Sequence, residues 1–451
     1  MKISLSKKIL WGLIVAVTPF VGKAQDATQT PLQLTLDKAI EIALSESPTI
    51  KIADQEIKRV DYSKKSAWYD ILPSLSASGQ YAKYLMPATM SFAGMVIELP
   101  TDFNANASLQ LSLPLFVPAL WKSIQMTTLD MQLAVERAHA SKITLRNDVT
   151  KAYYGVLLAQ DAYKIQQNTL TFAEEIYQQA KKRFDVGLGS EFDAISAEVQ
   201  MKSLQPALLS LENGIEQTKL YLRILMGLEV AQPIEVTGNL VDYEMSINSE
   251  NNLQNFSLEE NTNLKQLDIQ KKQLQKVLSM QRTQRMPMLA AFGTYTYAGT
   301  GNKAGNNPFT QLPSPASEAW FSQGMLAGVQ LNIPLSGIFT NIARERQTKV
   351  QMTQLDIQRC YVEESLNLQV RTALDNMTTA KKQVGAAKDN EELAKKGYDI
   401  AKKRYDTGVG ILLEVQNASI VLSGSQLAIK QAIATYLNSK ADLDKILGIE
   451  N

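Results

Sequence analysis

The chain of 451 residues holds a single histidine, His139, and a single cysteine, Cys360. A metal site of ordinary ligand spacing cannot be assembled from that pair, and one thiol makes no intrachain disulfide even in an oxidising compartment. His139 is expected as an ordinary helix residue and Cys360 as a buried free thiol. Excess charge of one sign is also missing: 46 Lys and Arg stand against 45 Asp and Glu. The strongly basic surface that nucleic acid demands is therefore excluded. Beyond residue 24 no apolar run approaches the roughly 18 residues a spanning helix needs, so a membrane could be crossed only by strands. Phosphate loops, dinucleotide fingerprints and nucleophile–base pairings are absent, so no enzyme, metal or cofactor is expected and any energy must come from a partner. Proline is missing from Ala119 to Gln205 and from Leu335 to the last residue, which leaves both stretches free to be long helices.

What is present excludes disorder, with 45% hydrophobic and 20% charged residues. The length calls for two domains or for one elongated, repeated structure. Residues 1–24 read as a secretory signal: Lys2, Lys7 and Lys8 precede an apolar stretch from Ile9 to Val21, and Gly22-Lys23-Ala24 ends in a small residue suited to cleavage. After cleavage 42 basic groups would face 45 acidic ones, a net charge of −3.

The remainder is written twice. Ser47 to Tyr81 aligns with Asn261 to Tyr295 at an offset of 214, carrying Lys51 onto Lys265, Asp54 onto Asp268 and Pro73 onto Pro287. Leu113-Pro114-Leu115 matches Ile333-Pro334-Leu335 at an offset of 220. Arg183-Phe184-Asp185-Val186-Gly187-Leu188-Gly189 matches Arg404-Tyr405-Asp406-Thr407-Gly408-Val409-Gly410 at 221, and Met226-Gly227-Leu228 matches Leu447-Gly448-Ile449 at the same offset. The expected organisation is a first repeat over 25–228, a polar linker over 229–256 and a second repeat over 257–451. Long helices are expected at 119–184, 190–227, 336–406 and 411–448.

Each repeat carries an apolar seam with alternating three- and four-residue steps, a period that supercoils helices. In the first it runs Val149, Ala152, Val156, Ala159, Tyr163, Gln166, Leu170, Ala173, Tyr177, Ala180, Phe184. In the second it runs Val370, Ala373, Met377, Ala380, Val384, Ala387, Glu391, Ala394, Tyr398, Ala401, Tyr405. Residues 119–184 as one helix would reach about 100 Å. A seam alone fits any coiled coil, including a periplasmic adaptor or a structural rod.

Four segments argue otherwise, because they alternate with period two over the length a tilted membrane strand needs. They lie at about 74–85, 104–115, 288–298 and 324–334. In the second, Ala105, Ala107, Leu109, Leu111, Leu113 and Leu115 oppose Asn106, Ser108, Gln110 and Ser112; in the fourth, Ala327, Val329, Leu331 and Ile333 oppose Gly328, Gln330 and Asn332. The polar sets are small and uncharged, as a wet lumen allows, and Pro73, Pro114, Pro287 and Pro334 mark the strand–helix junctions. Four strands cannot close a barrel, and an open edge in lipid is forbidden, so closure needs several chains.

The signal, the duplicated helix–hairpin–helix layout, the junction prolines and the paired Phe184-Asp185-Val186-Gly187 and Tyr405-Asp406-Thr407-Gly408 resemble the TolC-like outer membrane efflux family along essentially the whole mature chain. The fold implied is mainly α with a membrane β part: a homotrimer whose twelve-stranded barrel in outer membrane lipid continues as an α-helical tunnel through the periplasm. The function implied is a passive export channel for drugs or other small molecules. It would be energised by an inner-membrane pump of the RND or ABC type through a periplasmic adaptor. An outlet for protein secretion would share this architecture. Carried onto this sequence, the adaptor would dock at the turns formed by Phe184, Val186, Gly187, Leu188 and Gly189 and by Tyr405, Thr407, Gly408, Val409 and Gly410. An acidic gate would fall on Glu414, with Asp193 as its repeat equivalent. A second acidic position in the family is Asn417 here, which departs from a double acidic ring.

Overall fold

The computed structural model describes residues 31–86, 89–92, 94–98, 101–244, 256–302, 305–306, 313–314, 319–335 and 338–449. The expected signal peptide lies outside the described residues. In the first half β1 (Leu32–Leu34), α1 (Leu36–Glu46) and α2 (Pro48–Tyr69) lead into β2 (Ser74–Lys83), β3 (Thr89–Phe92), β4 (Met95–Glu98) and β5 (Thr101–Phe116). Then come α3 (Pro118–Asp185), α4 (Glu191–Met226), β6 (Ile234–Val236) and a 3-10 turn, Leu240–Tyr243. The second half repeats the order with α5 (Thr262–Thr283), β7 (Met288–Asn302), β8 (Gly305–Asn306), β9 (Pro313–Ser314), β10 (Ala319–Asn332), α6 (Ile338–Asp406) and α7 (Leu412–Leu447).

Helices α3 and α6 are 68 and 69 residues long, about 100 Å each at 1.5 Å per residue. Neither buries enough along its own surface to stand alone, and their stability comes from the seams. The second seam is mostly inside as expected: Val370, Ala373, Met377, Ala380, Val384, Ala394, Tyr398, Ala401 and Tyr405 are buried, while Ala387 and Glu391 are half-buried. The first seam holds through Val156 and again at Ala173 and Ala180. Thr169 and Ile176 are buried beside it, whereas the seam positions Leu170 and Tyr177 are half-buried and Phe184 is exposed. Helix α3 packs against both α4 and α7 there, so its buried face turns to serve two neighbours. Cys360 is exposed, correcting the expected buried thiol; the inward positions nearby are Leu355 and Leu366, and residue 360 falls on the outer face between them.

The stretch expected as a linker is in part built into the core. Strand β6 pairs in parallel with β1, Leu32 opposite Ile234 and Leu34 opposite Val236. Leu34, Ile234, Val236 and Leu240 are all buried. Lys388 of α6 is paired with Glu244, which ties this band to the second repeat. Its apolar residues are spaced too sparsely to signal an element, yet three ladder residues and one turn are enough when α3 already supplies the opposite wall. Residues 245–255 of the expected linker lie outside the described residues.

The sheet has the order β10-β7-β5-β2, every neighbour antiparallel, with β3–β4 and β8–β9 as separate two-stranded ribbons. Strands β5, β7 and β10 reach further from the helices than the periodic segments predict, starting at Thr101, ending at Asn302 and starting at Ala319. Pro114 is not at a strand end: it lies inside β5, where the register shifts between Pro114 and Phe116, and the helix begins at Pro118. Proline has no N–H to give the ladder, so the strand bulges there and Phe116, not Leu115, pairs with Leu289.

Candidate functional site: the helical tips and a two-faced sheet

Both tips end their helices in the same way. At the first, the Leu188 N–H donates to the Arg183 carbonyl at 2.8 Å and the Gly187 N–H to Phe184 at 2.9 Å. At the second, Val409 donates to Arg404 at 3.0 Å and Gly408 to Tyr405 at 3.0 Å. This reversal needs left-handed backbone at Gly187 (φ 75°) and Gly408 (φ 80°), where a side chain is strained. Gly189 and Gly410 are required for another reason. A Cβ at either would stand 2.9 Å from the Cβ of Arg183 or Arg404.

The two tips are also joined. Arg183 donates from Nη2 to the Asp406 carbonyl at 2.7 Å, and its guanidinium lies 4.6 Å from the centre of the Tyr405 ring. Burial pushes the Tyr405 hydroxyl up, the Arg183 charge opposes that, and the Asp193 and Asp406 carboxylates add to it. Further up, Lys402 reaches Glu175 at 3.3 Å, and the Phe172 and Tyr398 rings are 5.7 Å apart. Tyr405, expected among the docking residues, is 5% exposed and packs as a core residue of the tip. Its repeat equivalent Phe184 is 42% exposed. Val186, Leu188 and Val409 stand exposed with it, leaving an apolar group at the end of the molecule. Thr407, Gly187 and Gly408 are also exposed, whereas Gly189 and Gly410 are half-buried.

Glu414 sits in the first turn of α7, where the helix dipole favours an acid, and its Oε2 is 3.6 Å from Nη1 of Arg404. Asp193 holds the corresponding place in α4. The pairing of Arg183 and Arg404 with these tips has no signal in the spacing beyond their shared place at the head of the duplicated tip string. Among the described residues no group of His, Cys, Asp and Glu converges to hold a metal ion, and no helix is long and apolar enough to cross a membrane.

At the other end the register sorts the sheet into two faces. One row joins Leu75, Leu111, Gly293 and Ala327, and the next joins Ala77, Leu109, Tyr295 and Met325. Leu113 and Val329 flank Ala291 on the same face, and Leu331 pairs with Leu289 there. The opposite face has Ser76, Gln110, Thr294 and Leu326 in one row and Ser78, Ser108, Thr296 and Gly324 in another. Gln330 and Asn332 lie on that polar face too. Aromatic pairs stand at both ends of the apolar face. Tyr81 stacks on Phe103 at 5.5 Å and Tyr297 on Phe321 at 5.4 Å far from the helices, and Trp68 meets Trp121 edge-on at 6.3 Å where the helices begin.

The chain matches the model of the family described as outer membrane efflux protein over residues 39–228 and 253–449. It is 22% identical over 413 residues to the alkaline protease secretion protein AprF of Pseudomonas aeruginosa, covering 90% of this chain and 83% of that one. Against the probable efflux pump outer membrane protein TtgC of Pseudomonas putida it is 26% identical over 211 residues, 45% of this chain and only 42% of the relative's length. The solved CmeC outer membrane channel of Campylobacter jejuni superposes with a TM-score of 0.69 at 18% identity, covering 92% of this chain and 85% of that one. The open-state MtrE channel of Neisseria gonorrhoeae does so at 0.67 and 18%, over 92% and 88%. With both of its halves matched, the chain belongs to the outer membrane efflux protein family, seated in the outer membrane with its long helices in the periplasm.

Proposed function

We propose that three copies of this chain form a passive export channel, a twelve-stranded barrel continued by a helical tunnel, through which small molecules leave the cell. The observation that carries the reading is the sheet: four antiparallel strands with one apolar face, one uncharged polar face and, among the described residues, an outer edge left unpaired on both β2 and β10. Unpaired backbone groups cost several kcal/mol each in hydrocarbon, so such a sheet is stable in lipid only when closed with further copies. The apolar face becomes the lipid face and the polar face the lumen. From Ala105 to Phe116 the strand rises about 36 Å, or about 28 Å across the membrane at a tilt of about 40°, close to the height of an outer-membrane apolar band. The aromatic pairs at either end then sit at the two interfaces.

The exposed apolar tips, some 100 Å from the barrel, are the docking place of a periplasmic adaptor that links the channel to an inner-membrane RND-type or ABC-type pump. Glu414, with Asp193 behind it, lines the narrow end as an acidic gate. The experiment is a mass measurement of detergent-solubilised protein from the outer membrane fraction, together with export of a drug panel in cells lacking the chain. A stable monomer or dimer would overturn the assembly, and unchanged drug export would overturn the cargo. A second reading, an outlet for secreted protein, draws on the alignment with AprF along most of this chain. Loss of a secreted protein with drug export intact would select it.

A further inference from the structure

Resting on the trimeric reading, we propose the register in which β10 of one copy pairs with β2 of the next: Gln330 opposite the neighbouring copy's Gln80, with Val329 opposite its Tyr81 and Leu331 opposite its Gly79. The register comes from the internal repeat. In the first hairpin Ser76 pairs with Gln110 and Ala77 with Leu109. The sequence offsets of 214 and 220 carry these four residues onto Ala290, Gln330, Ala291 and Val329, and in the second hairpin Ala290 pairs with Gln330 and Ala291 with Val329. The duplication is thus kept in the ladder itself, residue by residue.

The chain contains one junction between its repeats, β5 against β7, where Gln110 pairs with Thr294, Leu109 with Tyr295 and Leu111 with Gly293. A closed ring of identical chains needs a second kind of junction, from the second repeat of one copy to the first repeat of the next. Applying the same offsets, β5 becomes β10 and β7 becomes β2. Thr294, Tyr295 and Gly293 then become Gln80, Tyr81 and Gly79, and Gln110, Leu109 and Leu111 become Gln330, Val329 and Leu331. The paired stretch runs from Ala327 with the neighbour's Lys83 to Asn332 with its Ser78.

Two features fit this register. The faces agree, since Leu331, Val329, Gly79 and Tyr81 are on the apolar side and Gln330 and Gln80 on the polar side, and a slip by one residue would reverse every pair. The chemistry agrees, because a β-branched residue meets an aromatic one and two amides face each other. Edge-strand Gly79 has nothing within 4 Å of where its Cβ would be, and Leu331 on the other edge is 58% exposed. The proposed pairing sets them opposite each other, as Leu111 stands opposite Gly293 inside the chain.

Slips of two residues keep the faces and are the competing registers, so cysteine pairs must separate them. The test uses full-length protein in native outer membranes with Cys360→Ser, since that exposed thiol would add its own cross-links. Directly opposed residues lie about 4.5–5.5 Å apart, within disulfide reach, while diagonal ones at about 7–8 Å are not. Gln80→Cys with Gln330→Cys should give covalent dimers and trimers on mild oxidation, as should Tyr81→Cys with Val329→Cys. Ser78→Cys or Ala82→Cys with Gln330→Cys should stay monomeric in denaturing gels. Cross-linking of a displaced pair in place of the opposed ones, or of none while the native mass is trimeric, would overturn this register and leave the trimer standing. A monomeric native mass with no cross-link in any pair would overturn the trimer as well.

Discussion

Arg183 closes one helix of the first repeat and caps a helix of the second, donating to the Asp406 carbonyl at 2.7 Å while lying over the Tyr405 ring. A charged hydrogen bond contributes about 1.5–3 kcal/mol and an exposed cation–π contact about 0.5–1 kcal/mol. Arg183→Ala should therefore loosen the second tip by about 2 kcal/mol, roughly thirtyfold in local opening, without touching the sheet. Amide hydrogen exchange is the measurement: residues 404–410 should exchange faster and the strands should not. Arg183→Lys keeps the charge but not the planar group, and should fall between the two.

The proposed docking role of the tips can be tested separately from their folding. At Gly408 a side chain would be strained by the positive φ but would meet nothing within 4 Å inside the chain. Gly408→Ala carries the strain alone, on the order of 1–2 kcal/mol, and Gly408→Trp adds bulk outside. Export should survive the first and be lost in the second, with both proteins inserted in the outer membrane. The same pair at Gly187 should behave alike. Equal export in the Trp and Ala variants at both tips would remove the docking role.

Asp161 and Lys430 form an ion pair at 3.0 Å between α3 and α7, with side chains only 12% and 18% exposed. Removing one partner leaves a charge largely out of water and should cost about 3–5 kcal/mol. Lys151 and Asp442 join the same two helices at 2.9 Å but are 38% and 40% exposed, and Asn147 still donates to Asp442 when the lysine is gone. Lys151→Ala should cost less than about 1 kcal/mol. Thermal loss of helical circular dichroism should thus come markedly earlier in Lys430→Ala than in Lys151→Ala.

The sheet faces give a further contrast. Leu111 lies in the middle of the apolar face, and an arginine near mid-bilayer costs about 2–4 kcal/mol. Gln110, its neighbour on the polar face, would direct the same arginine into water. Leu111→Arg should lower the yield of assembled protein in the outer membrane, whereas Gln110→Arg should assemble normally and alter ion selectivity instead.

The outcome of the sequence reading differs between the repeats for a physical reason. The second seam from Val370 to Tyr405 was legible because one face of α6 does all the burying. The end of the first was not, because α3 is shared between α4 and α7 and its inward face turns from Leu170 and Tyr177 to Thr169 and Ile176. Tyr405 and Phe184 look equivalent in the duplicated string, yet Tyr405 is buried, packed with Ala180, Ala401 and Leu412 and with Arg183 over its ring, whereas Phe184 is 42% exposed. The band around β6 was hidden for want of periodicity, its strand having only three residues. Alternation in the strands survived translation into structure because pleating admits no other arrangement; β5 departs from it at the Pro114 bulge and at a second register shift between Thr101 and Phe103, ahead of the expected segment.

If Glu414 of each copy points toward the axis, three carboxylates share the narrow end, and their repulsion limits how far the tips close unaided. In the chain each carboxylate has a partner, Arg404 at 3.6 Å, on the preceding helix of the same tip. That pair is about half exposed, so its attraction is weak and does not cancel the acid. A ring of partly compensated carboxylates should still favour cations and bind multivalent ones entering from the periplasmic side. Glu414→Ala should weaken both effects while leaving conductance intact or raised, because bulk is lost along with charge and Arg404 becomes unpaired. Arg404→Ala should do the opposite and strengthen cation block. Asp193→Ala, on the other hairpin, should matter less. Planar-bilayer recordings decide the matter. Identical selectivity and block in wild type, Glu414→Ala and Arg404→Ala would reduce Glu414 to an ordinary acid at a helix N-terminus.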